Sequence, residues 1–293
     1  MNEMMAPPPP MDTSRITRKW LDVAYADQSR AQKMDIYLPQ AGDGPFPVLA
    51  TIHGGAWLFG DKGDILNLPF MEGLKRGYAV VCMNYRLSGE AQFPCQIFDC
   101  KAAIRFLRAN ASRYQLDGSR IAAWGPSAGG HLAALLGTSA GVMDLEDPAL
   151  GHPETSSAVQ AVVDWCGPTQ DFLKMDEQII ENGVGIPDHS QAESPESHLI
   201  GMKITEAPER VRFASPMSYI TADVPPFLIQ HGSSDPIVPV QQSIHFSSEI
   251  KRIAGEAKAS LDIFKGAGHH GDPAFETAQN IDRVLDFADD ILK

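Results

Sequence analysis

The chain has 293 residues, 43% of them hydrophobic, and a formal net charge of -13 at pH 7. That length and apolar content can bury one large core, which indicates a single domain. The negative charge repels phosphate backbones and anionic lipid, so nucleic acid and membranes are not expected as partners.

The N-terminal residues show neither a signal peptide nor a membrane anchor. Prolines occupy residues 7–10, where a signal peptide would have its apolar core, and no stretch has the apolar length of a bilayer span. A cytoplasmic location is therefore expected, although a signal removed beforehand is compatible with the sequence. Residues 1–19 are predicted to be a flexible segment and residues 20–293 a single domain.

The cysteines and histidines do not indicate a metal site. Four cysteines are spread without C-x-x-C spacing: Cys82, Cys95, Cys100 and Cys166. Reduced thiols are expected, because a domain of this size needs no disulfide. His269, His270 and Asp272 are too close along the chain for a tetrahedral set unless a distant ligand such as His231 joins them. We expect neither a metal nor a cofactor.

The first half of the domain alternates strands and helices. Residues 20–26 and 33–38 alternate apolar and polar side chains, which predicts an antiparallel hairpin at a sheet edge. The next predicted elements are strands at 46–52, 78–84 and 121–124, with helices at 66–76 and 96–111 between them. This alternation is typical of a mostly parallel sheet covered on both faces.

A long irregular region interrupts the alternation in the second half. A strand is predicted at 159–165, and residues 168–218 then break into short pieces rich in Pro, Glu, Ser and Gly. This region is too long for an ordinary loop and has enough apolar residues to pack, which favours a cap-like insert. The remaining predicted elements are strands at 227–230 and 261–264 and helices at 240–253 and 275–292.

The stretch Gly125-Pro126-Ser127-Ala128-Gly129 follows one predicted strand and precedes an apolar helix. This is the context in which G-x-S-x-G forms a nucleophile elbow, a tight turn that exposes the serine at the top of the sheet. The alternative is a serine that only caps the helix. The rest of the chain has to decide between the two.

Two later strand ends carry the partners that a nucleophilic serine needs. Asp235 follows the strand at 227–230, and His269 follows the strand at 261–264. A serine needs a base to remove its proton, and that base needs a third group to orient it. The order serine, aspartate, histidine is the one that this kind of fold imposes. His270, directly beside His269, remains an alternative base.

The loop after the third strand supplies the remaining component. It reads His53-Gly54-Gly55-Ala56, and its backbone N–H groups can stabilise the oxyanion that forms when an acyl carbon becomes tetrahedral. The sequence therefore predicts an oxyanion hole made by Gly55, Ala56 and Ala128. A Gly-Gly turn without any catalytic role is the alternative.

These motifs carry a resemblance to a known family. HGGAW, GPSAGGHLA, HGSSDPIVP and GAGHHGDPAF together resemble the α/β-hydrolase esterases of the hormone-sensitive-lipase-like and bacterial feruloyl-esterase-like groups. The resemblance implies an eight-stranded, mostly parallel sheet with helices on both faces and a small cap. It also implies Ser127 as nucleophile, Asp235 as acid and His269 as base. Pro126 departs from the family pattern, since an acidic residue is common at this position.

The expected function is that of a serine carboxylesterase that hydrolyses small, neutral, short-chain esters through an acyl-enzyme. The alternatives are an arylformamidase similar to kynurenine formamidases, or a feruloyl or acetyl esterase acting on plant carbohydrate esters. A binding module without activity is disfavoured because no triad member or oxyanion donor is missing. A peptidase is disfavoured because the chain has no room for the accessory domain of such enzymes. Whether the protein forms a homo-oligomer is left open.

The pocket is expected to be compact, apolar and negatively charged at its mouth. Trp57 and Phe59 follow the oxyanion loop and Trp165 ends a strand, so all three are predicted to line it, with core packing as the alternative for Trp165. Lys174 is the only nearby cation for seven acidic residues of the insert: Asp171, Asp176, Glu177, Glu181, Asp188, Glu193 and Glu196. Anionic esters are therefore expected to be poor substrates.

Overall fold

Eight strands form one sheet in the structure, a computed structural model that describes residues 8–293. The strands are β1 (Lys19–Ala24), β2 (Lys33–Tyr37), β3 (Phe46–Ile52), β4 (Ala79–Met83), β5 (Leu116–Pro126), β6 (Ala161–Trp165), β7 (Phe227–Gly232) and β8 (Ala259–Phe264). Their order across the sheet is β1-β2-β4-β3-β5-β6-β7-β8. The pairs β1–β2 and β2–β4 are antiparallel and all the others are parallel.

The burial of the strands follows their hydrophobic patterns. β3 and β4 are continuously apolar, and every residue of both is buried, as expected for strands covered on two faces. β1 lies at the edge and is largely exposed, and it pairs with β2 in the predicted hairpin. The predicted α/β-hydrolase architecture, with a mostly parallel eight-stranded sheet, is confirmed.

Helices cover both faces of this sheet. They are α1 (Cys95–Ala109), α2 (Ala128–Thr138), α3 (Met175–Asn182), α4 (Pro195–Ile200), α5 (Pro208–Ala214), α6 (Gln241–Ala254), α7 (Pro273–Glu276) and α8 (Ala278–Leu292). Buried residues of α1, α2 and α6 belong to one hydrophobic cluster. Buried residues of α8 and of the 3₁₀ helix Ile65–Arg76 belong to a second cluster. The sheet therefore lies between two apolar layers.

Two predicted helices differ in their details. The predicted helix at 66–76 is a 3₁₀ helix, Ile65–Arg76, with Pro69 inside it. Proline has no N–H to donate in an α-helix interior. The predicted helix at 275–292 is divided into α7 and α8, because the side chain of Thr277 accepts a hydrogen bond from the N–H of Asn280 and caps a new helix.

Part of the predicted flexible N-terminal segment is attached to the domain. Residues 1–7 lie outside the described residues. Met11 is buried, and its N–H donates to the carbonyl of Gly63 at 2.7 Å. The N–H of Ile65 donates to the carbonyl of Pro9 at 2.9 Å. Pro9 and Met11 of the predicted flexible segment are therefore hydrogen-bonded at the start of the 3₁₀ helix Ile65–Arg76.

The region between β6 and β7 is a packed insert. It contains α3, α4, α5 and several 3₁₀ turns. Its apolar side chains are buried in the first cluster: Phe172, Met175, Leu199, Ile200, Ile204 and Val211. We call residues 168–218 the cap. Among residues 8–293, no helix combines the length and apolar character needed to cross a bilayer.

Candidate active site

Ser127 lies on the turn between β5 and α2 in a conformation that L-residues rarely adopt. Its φ and ψ are 55° and -122°, and its side chain makes no hydrogen bond that caps α2. The backbone holds this geometry, because the N–H of Ser127 donates to the carbonyl of Trp165 at 2.7 Å and its carbonyl accepts from the N–H of His131 at 2.9 Å. Strained backbone of this kind persists only where surrounding structure enforces it, and it concentrates at functional sites. The helix-cap alternative for Ser127 is therefore not the arrangement observed.

The glycine after the elbow is required by close packing. A Cβ built at Gly129 would lie 2.1 Å from the carbonyl oxygen of Ile52 at the end of β3, closer than any real contact. A Cβ at Gly125 would lie 2.4 Å from the carbonyl carbon of Gly129. The turn can form only because neither position carries a side chain.

Asp235 and His269 are brought into direct contact from the ends of β7 and β8. The Nδ1 of His269 donates to the Oδ2 of Asp235 at 2.6 Å. The Oδ1 of Asp235 accepts from the N–H groups of Ile237 and Val238 at 2.8 and 2.9 Å. Burial opposes ionisation of Asp235, but hydrogen bonds from His231 and His269 outweigh it and hold its pKa well below the usual value. Asp235 is therefore a fixed anion that orients the His269 ring, with Nε2 available to accept a proton.

His231 supports Asp235. From the sequence alone it is only a possible distant metal ligand. Its ring is fully buried, and its Nε2 lies 2.8 Å from the carbonyl of Val238 and 3.2 Å from the Oδ2 of Asp235. Because a carbonyl only accepts, Nε2 carries the hydrogen, and Nδ1 then accepts from the hydroxyl of Ser243 at 2.7 Å. A sequence signal is present, since His231 lies near the end of β7, four residues before Asp235.

His270 occupies a different place from its neighbour. A Cβ at Gly54 would lie 3.2 Å from its Nε2, so the ring of His270 packs against the loop after β3. Burial, reinforced by the nearby His269, lowers the pKa of His270 to about 3, so the ring is neutral. The Nδ1 contact to Asp235 belongs to His269, which makes His269 the better candidate for the base.

The side chain of Cys166 lies close to Asp235 and His269. Its sulfur and ligand atoms of Asp235 and His269 all lie within 4.8 Å of one another. Burial and the charge of Asp235 raise the pKa of this thiol well above its usual value, although backbone groups of His270 and Ser127 partly offset them. A metal needs a thiolate, and Asp235 is already bonded to His269. We therefore assign no metal to these residues.

The loop after β3 turns back sharply beside the serine. Gly55, Ala56 and Trp57 all have positive φ, at 109°, 53° and 57°. A Cβ at Gly55 would lie 2.1 Å from the carbonyl oxygen of Phe59, so this position needs glycine. Gly55 is not among the residues that line the cavity described next, and its carbonyl accepts hydrogen bonds within the turn.

A cavity of about 390 Å³ opens at this edge of the sheet. Of the residues that the sequence predicts for the triad, the oxyanion hole and the aromatic pocket wall, four line it: Ala56, Trp57, Ser127 and Ala128. Ala128 is the first residue of α2, where the backbone N–H has no partner within the helix. The N–H groups of Ala56 and Ala128 are thus the candidate oxyanion donors, placed at the same cavity as the hydroxyl of Ser127.

Comparisons with known proteins identify the family. A family model described as BD-FAE matches residues 34–250. The chain belongs to the BD-FAE family. This agrees with the resemblance found in the four motifs.

Relatives of this BD-FAE protein carry esterase names. It is 32% identical over 255 residues to a probable carboxylic ester hydrolase, LipM, of Mycobacterium tuberculosis, which covers 84% of this chain and 56% of LipM. The chain spans little more than half the length of the curated relatives it matches.

Solved structures match over nearly the whole chain. A truncated carbohydrate esterase from gut microbiota is 33% identical, with a TM-score of 0.84, over 96% of this chain and 99% of that one. An esterase from Thermogutta terrifontis with propionate bound is 25% identical, with a TM-score of 0.69, over 94% of this chain and 93% of that one.

Two aromatic residues predicted to line the pocket of this BD-FAE member lie elsewhere. Phe59 is 62% exposed and is not among the cavity residues. Trp165 is buried in the second cluster, where it packs against Phe70, Trp124 and Phe275. Successive strand residues point to opposite faces, and Trp165 points to the face away from the cap. The pocket prediction is wrong for both, and the core alternative holds for Trp165.

The sequence does not predict the rest of the cavity wall, except for Asp188 and Glu196, which it places among the acidic residues over the mouth. The turn after Asp235 contributes Pro236, Ile237 and Val238. The cap contributes seven residues: Pro168, Gly185, Ile186, Asp188, His189, Pro195 and Glu196. Proximity to Asp235 could have suggested the first group, but no sequence periodicity shows which cap residues face a cavity.

Trp57 forms the inner wall and is held by His131. The Nε1–H of Trp57 donates to the Nδ1 of His131 at 3.3 Å, so His131 carries its hydrogen on Nε2, which donates to the carbonyl of Ala214 at 2.7 Å. Burial lowers the pKa of His131 to about 4, and the bond to Ala214 only partly offsets it. His131 is thus a neutral buried link between the pocket and the cap.

This link predicts a loss of stability in acid. The folded pKa of His131, about 4, lies below the reference histidine value of about 6.5, so the unfolded chain binds more protons between these values. The free energy of unfolding should fall on acidification from pH 6.5 to 4, by up to about 1.4 kcal/mol per pH unit for this proton. Denaturant unfolding of the wild type and of His131→Gln checks this. Equal slopes for both proteins in this range would contradict it.

Proposed function

We propose that the protein is a serine carboxylesterase that acts on small, neutral, short-chain esters through an acyl-enzyme. The observation that carries the proposal is the Asp235–His269 contact at 2.6 Å beside a cavity onto which Ser127 opens. The esterase names of its relatives support the same reaction type.

The chemistry follows from this arrangement. The hydroxyl oxygen of Ser127 attacks the acyl carbon and passes its proton to the Nε2 of His269, while the carbonyl electrons move to the oxygen bound by the N–H groups of Ala56 and Ala128. When the tetrahedral intermediate collapses, the alcohol leaves with the proton of His269. Water, deprotonated by His269, then attacks the acyl-enzyme. As this second intermediate collapses, the acid leaves and His269 returns the proton to the oxygen of Ser127.

The cavity supports a preference for short acyl chains. Its volume of about 390 Å³ lies at the small end of ligand pockets, and its walls include Trp57, Ile186, Ile237 and Val238. Each methylene that fits gains at most about 0.8 kcal/mol, and longer chains clash once the space is full. Propionate bound to the related Thermogutta terrifontis esterase agrees with such a pocket.

We expect the highest kcat/KM for acetyl to butyryl nitrophenyl esters, with a decline of at least about tenfold at octanoyl. Esters bearing a carboxylate should be about tenfold slower than neutral ones, because the acidic side chain of Asp188 lines the cavity. Kinetics across an acyl series, a neutral and anionic pair, and formylkynurenine measure this. A maximum at long chains would contradict the pocket, and a higher kcat/KM for formylkynurenine than for any ester would indicate an arylformamidase.

A further inference from the structure

A buried polar pair from the cap lines the active-site cavity. His189 lies before helix α4, and Glu196 is the second residue of α4. Both residues line the same cavity as Ser127. The Nδ1 of His189 lies 3.1 Å from the Oε1 of Glu196. Their side chains are only 8% and 5% exposed. Neither residue belongs to the triad or to the oxyanion loop.

One oxygen of this pair has no protein partner. Within residues 8–293, no group makes a hydrogen bond to the Oε2 of Glu196, although this atom is buried. Most buried polar atoms are hydrogen-bonded, and leaving a buried carboxylate oxygen unpaired is destabilising. A buried acceptor of this kind in a cavity wall is suited to a donor that arrives with the ligand.

The charge of the pair indicates the kind of donor. Burial alone would lower the pKa of His189, but its hydrogen bond to Glu196 and the charges of Glu196, Asp176 and Asp188 raise it above the usual value. The raised pKa favours the imidazolium form of His189, whose positive charge offsets the negative charge of an ionised Glu196. A lone buried carboxylate would favour a cation, whereas a compensated one favours a neutral donor such as a hydroxyl group.

We propose that Glu196 accepts a hydrogen bond from a hydroxyl group of the substrate, so that the pair with His189 selects esters that carry free hydroxyl groups. This inference rests on the proposed esterase function and assigns a specificity role to the cap. A site built to hydrogen-bond a substrate hydroxyl discriminates strongly against the analogue that lacks it, because its own polar groups are then left unpaired.

The test compares two esters that differ only in hydroxyl groups. We suggest a monoacetylated pentopyranoside with two free ring hydroxyls, its dideoxy analogue, and nitrophenyl acetate as a substrate that reports esterase activity alone. The wild type should hydrolyse the hydroxylated ester with a kcat/KM at least about tenfold higher than that of the dideoxy ester. A ratio below threefold in the wild type overturns the inference, whatever any variant does.

The Glu196→Gln variant tests whether Glu196 causes the preference for the hydroxylated ester. This variant keeps the size of the side chain but removes the charge, and the ratio should fall at least about threefold. Glu193→Gln is the matched control, since Glu193 is on the same segment with its side chain 90% exposed, and it should keep the wild-type ratio. An unchanged ratio in a folded Glu196→Gln protein overturns the inference.

Three further outcomes show whether this inference or the proposed esterase function fails. Faster turnover of acetylcholine than of the hydroxylated ester would show a cation site and overturn the hydroxyl assignment. Hydrolysis of nitrophenyl acetate without any hydroxyl preference overturns the inference and leaves the esterase function standing. If the protein hydrolyses none of these esters, both the inference and the proposed esterase function are overturned.

Discussion

Replacing Ser127 with alanine should lower kcat for nitrophenyl acetate by at least about 10⁴-fold while the protein remains folded. The hydroxyl of Ser127 is the only protein nucleophile in the proposed mechanism, so its removal leaves only the weak catalysis of the oxyanion donors. Its side chain makes no capping hydrogen bond, and the strained backbone at φ 55° is the same for alanine. The melting temperature should therefore change little.

Covalent labelling makes this prediction independent of the substrate chosen. A fluorophosphonate should modify the wild type once, at Ser127, and should leave Ser127→Ala unmodified. Ser119→Ala is the matched control, because Ser119 is on the same strand β5 but is exposed, and it should keep full activity and labelling. Labelling of Ser127→Ala, or activity above a few per cent, would remove Ser127 from the role of nucleophile.

The framework of the site could be predicted because it depends on local rules. The carboxyl ends of parallel strands meet at one edge of a sheet, so residues that follow β5, β7 and β8 are adjacent in space although they are far apart in sequence. The same rule predicts from the sequence that Asp235 lies near His269, and their side chains are in contact in the structure. The glycines at 125 and 129 were predictable for a similar reason, since the turn leaves no space for a Cβ.

The pocket could not be predicted, because it depends on how side chains pack over long distances. Trp57 and Phe59 are two residues apart in one loop, yet Trp57 is buried in the cavity wall and Phe59 is in solvent. Trp165 ends a strand beside the elbow, but its side chain points to the opposite layer. The sequence patterns also contain no signal that pairs His189 with Glu196 across seven residues of irregular chain.

The acidic residues of the cap also show that the sequence does not predict side-chain packing. The sequence predicts an acidic cap, but it treats seven carboxylates as equivalent. In the structure Asp171 caps a 3₁₀ turn and Asp176 accepts two backbone N–H groups, while Asp188 and Glu196 line the cavity. Only the last two can act directly on a substrate. Composition therefore predicts the sign of the field at the mouth, and packing decides which residues produce it.

Replacing Asp235 with asparagine should lower kcat by about 10³- to 10⁴-fold, a smaller loss than for Ser127→Ala. An amide can donate its N–H₂ group to the Nδ1 of His269, which stabilises the tautomer with a hydrogen on Nε2 and blocks proton acceptance. The asparagine also cannot stabilise the imidazolium that forms when His269 takes the proton. KM should change much less than kcat, because Asp235 itself is not among the cavity residues.

Variants of His269 and His270 test which of these two histidines is the base. His269→Ala should lose at least about 10⁴-fold in kcat, and combining it with Asp235→Asn should add little, because the two residues act as one unit. His270→Gln should keep most of the activity, since the ring of His270 packs against Gly54 and, within residues 8–293, the histidine hydrogen-bonded to Asp235 through Nδ1 is His269. Single and double variants assayed by steady-state kinetics measure this. If His270→Gln abolished activity in a folded protein while His269→Ala retained it, the base would be His270 and the 2.6 Å contact of His269 would be structural.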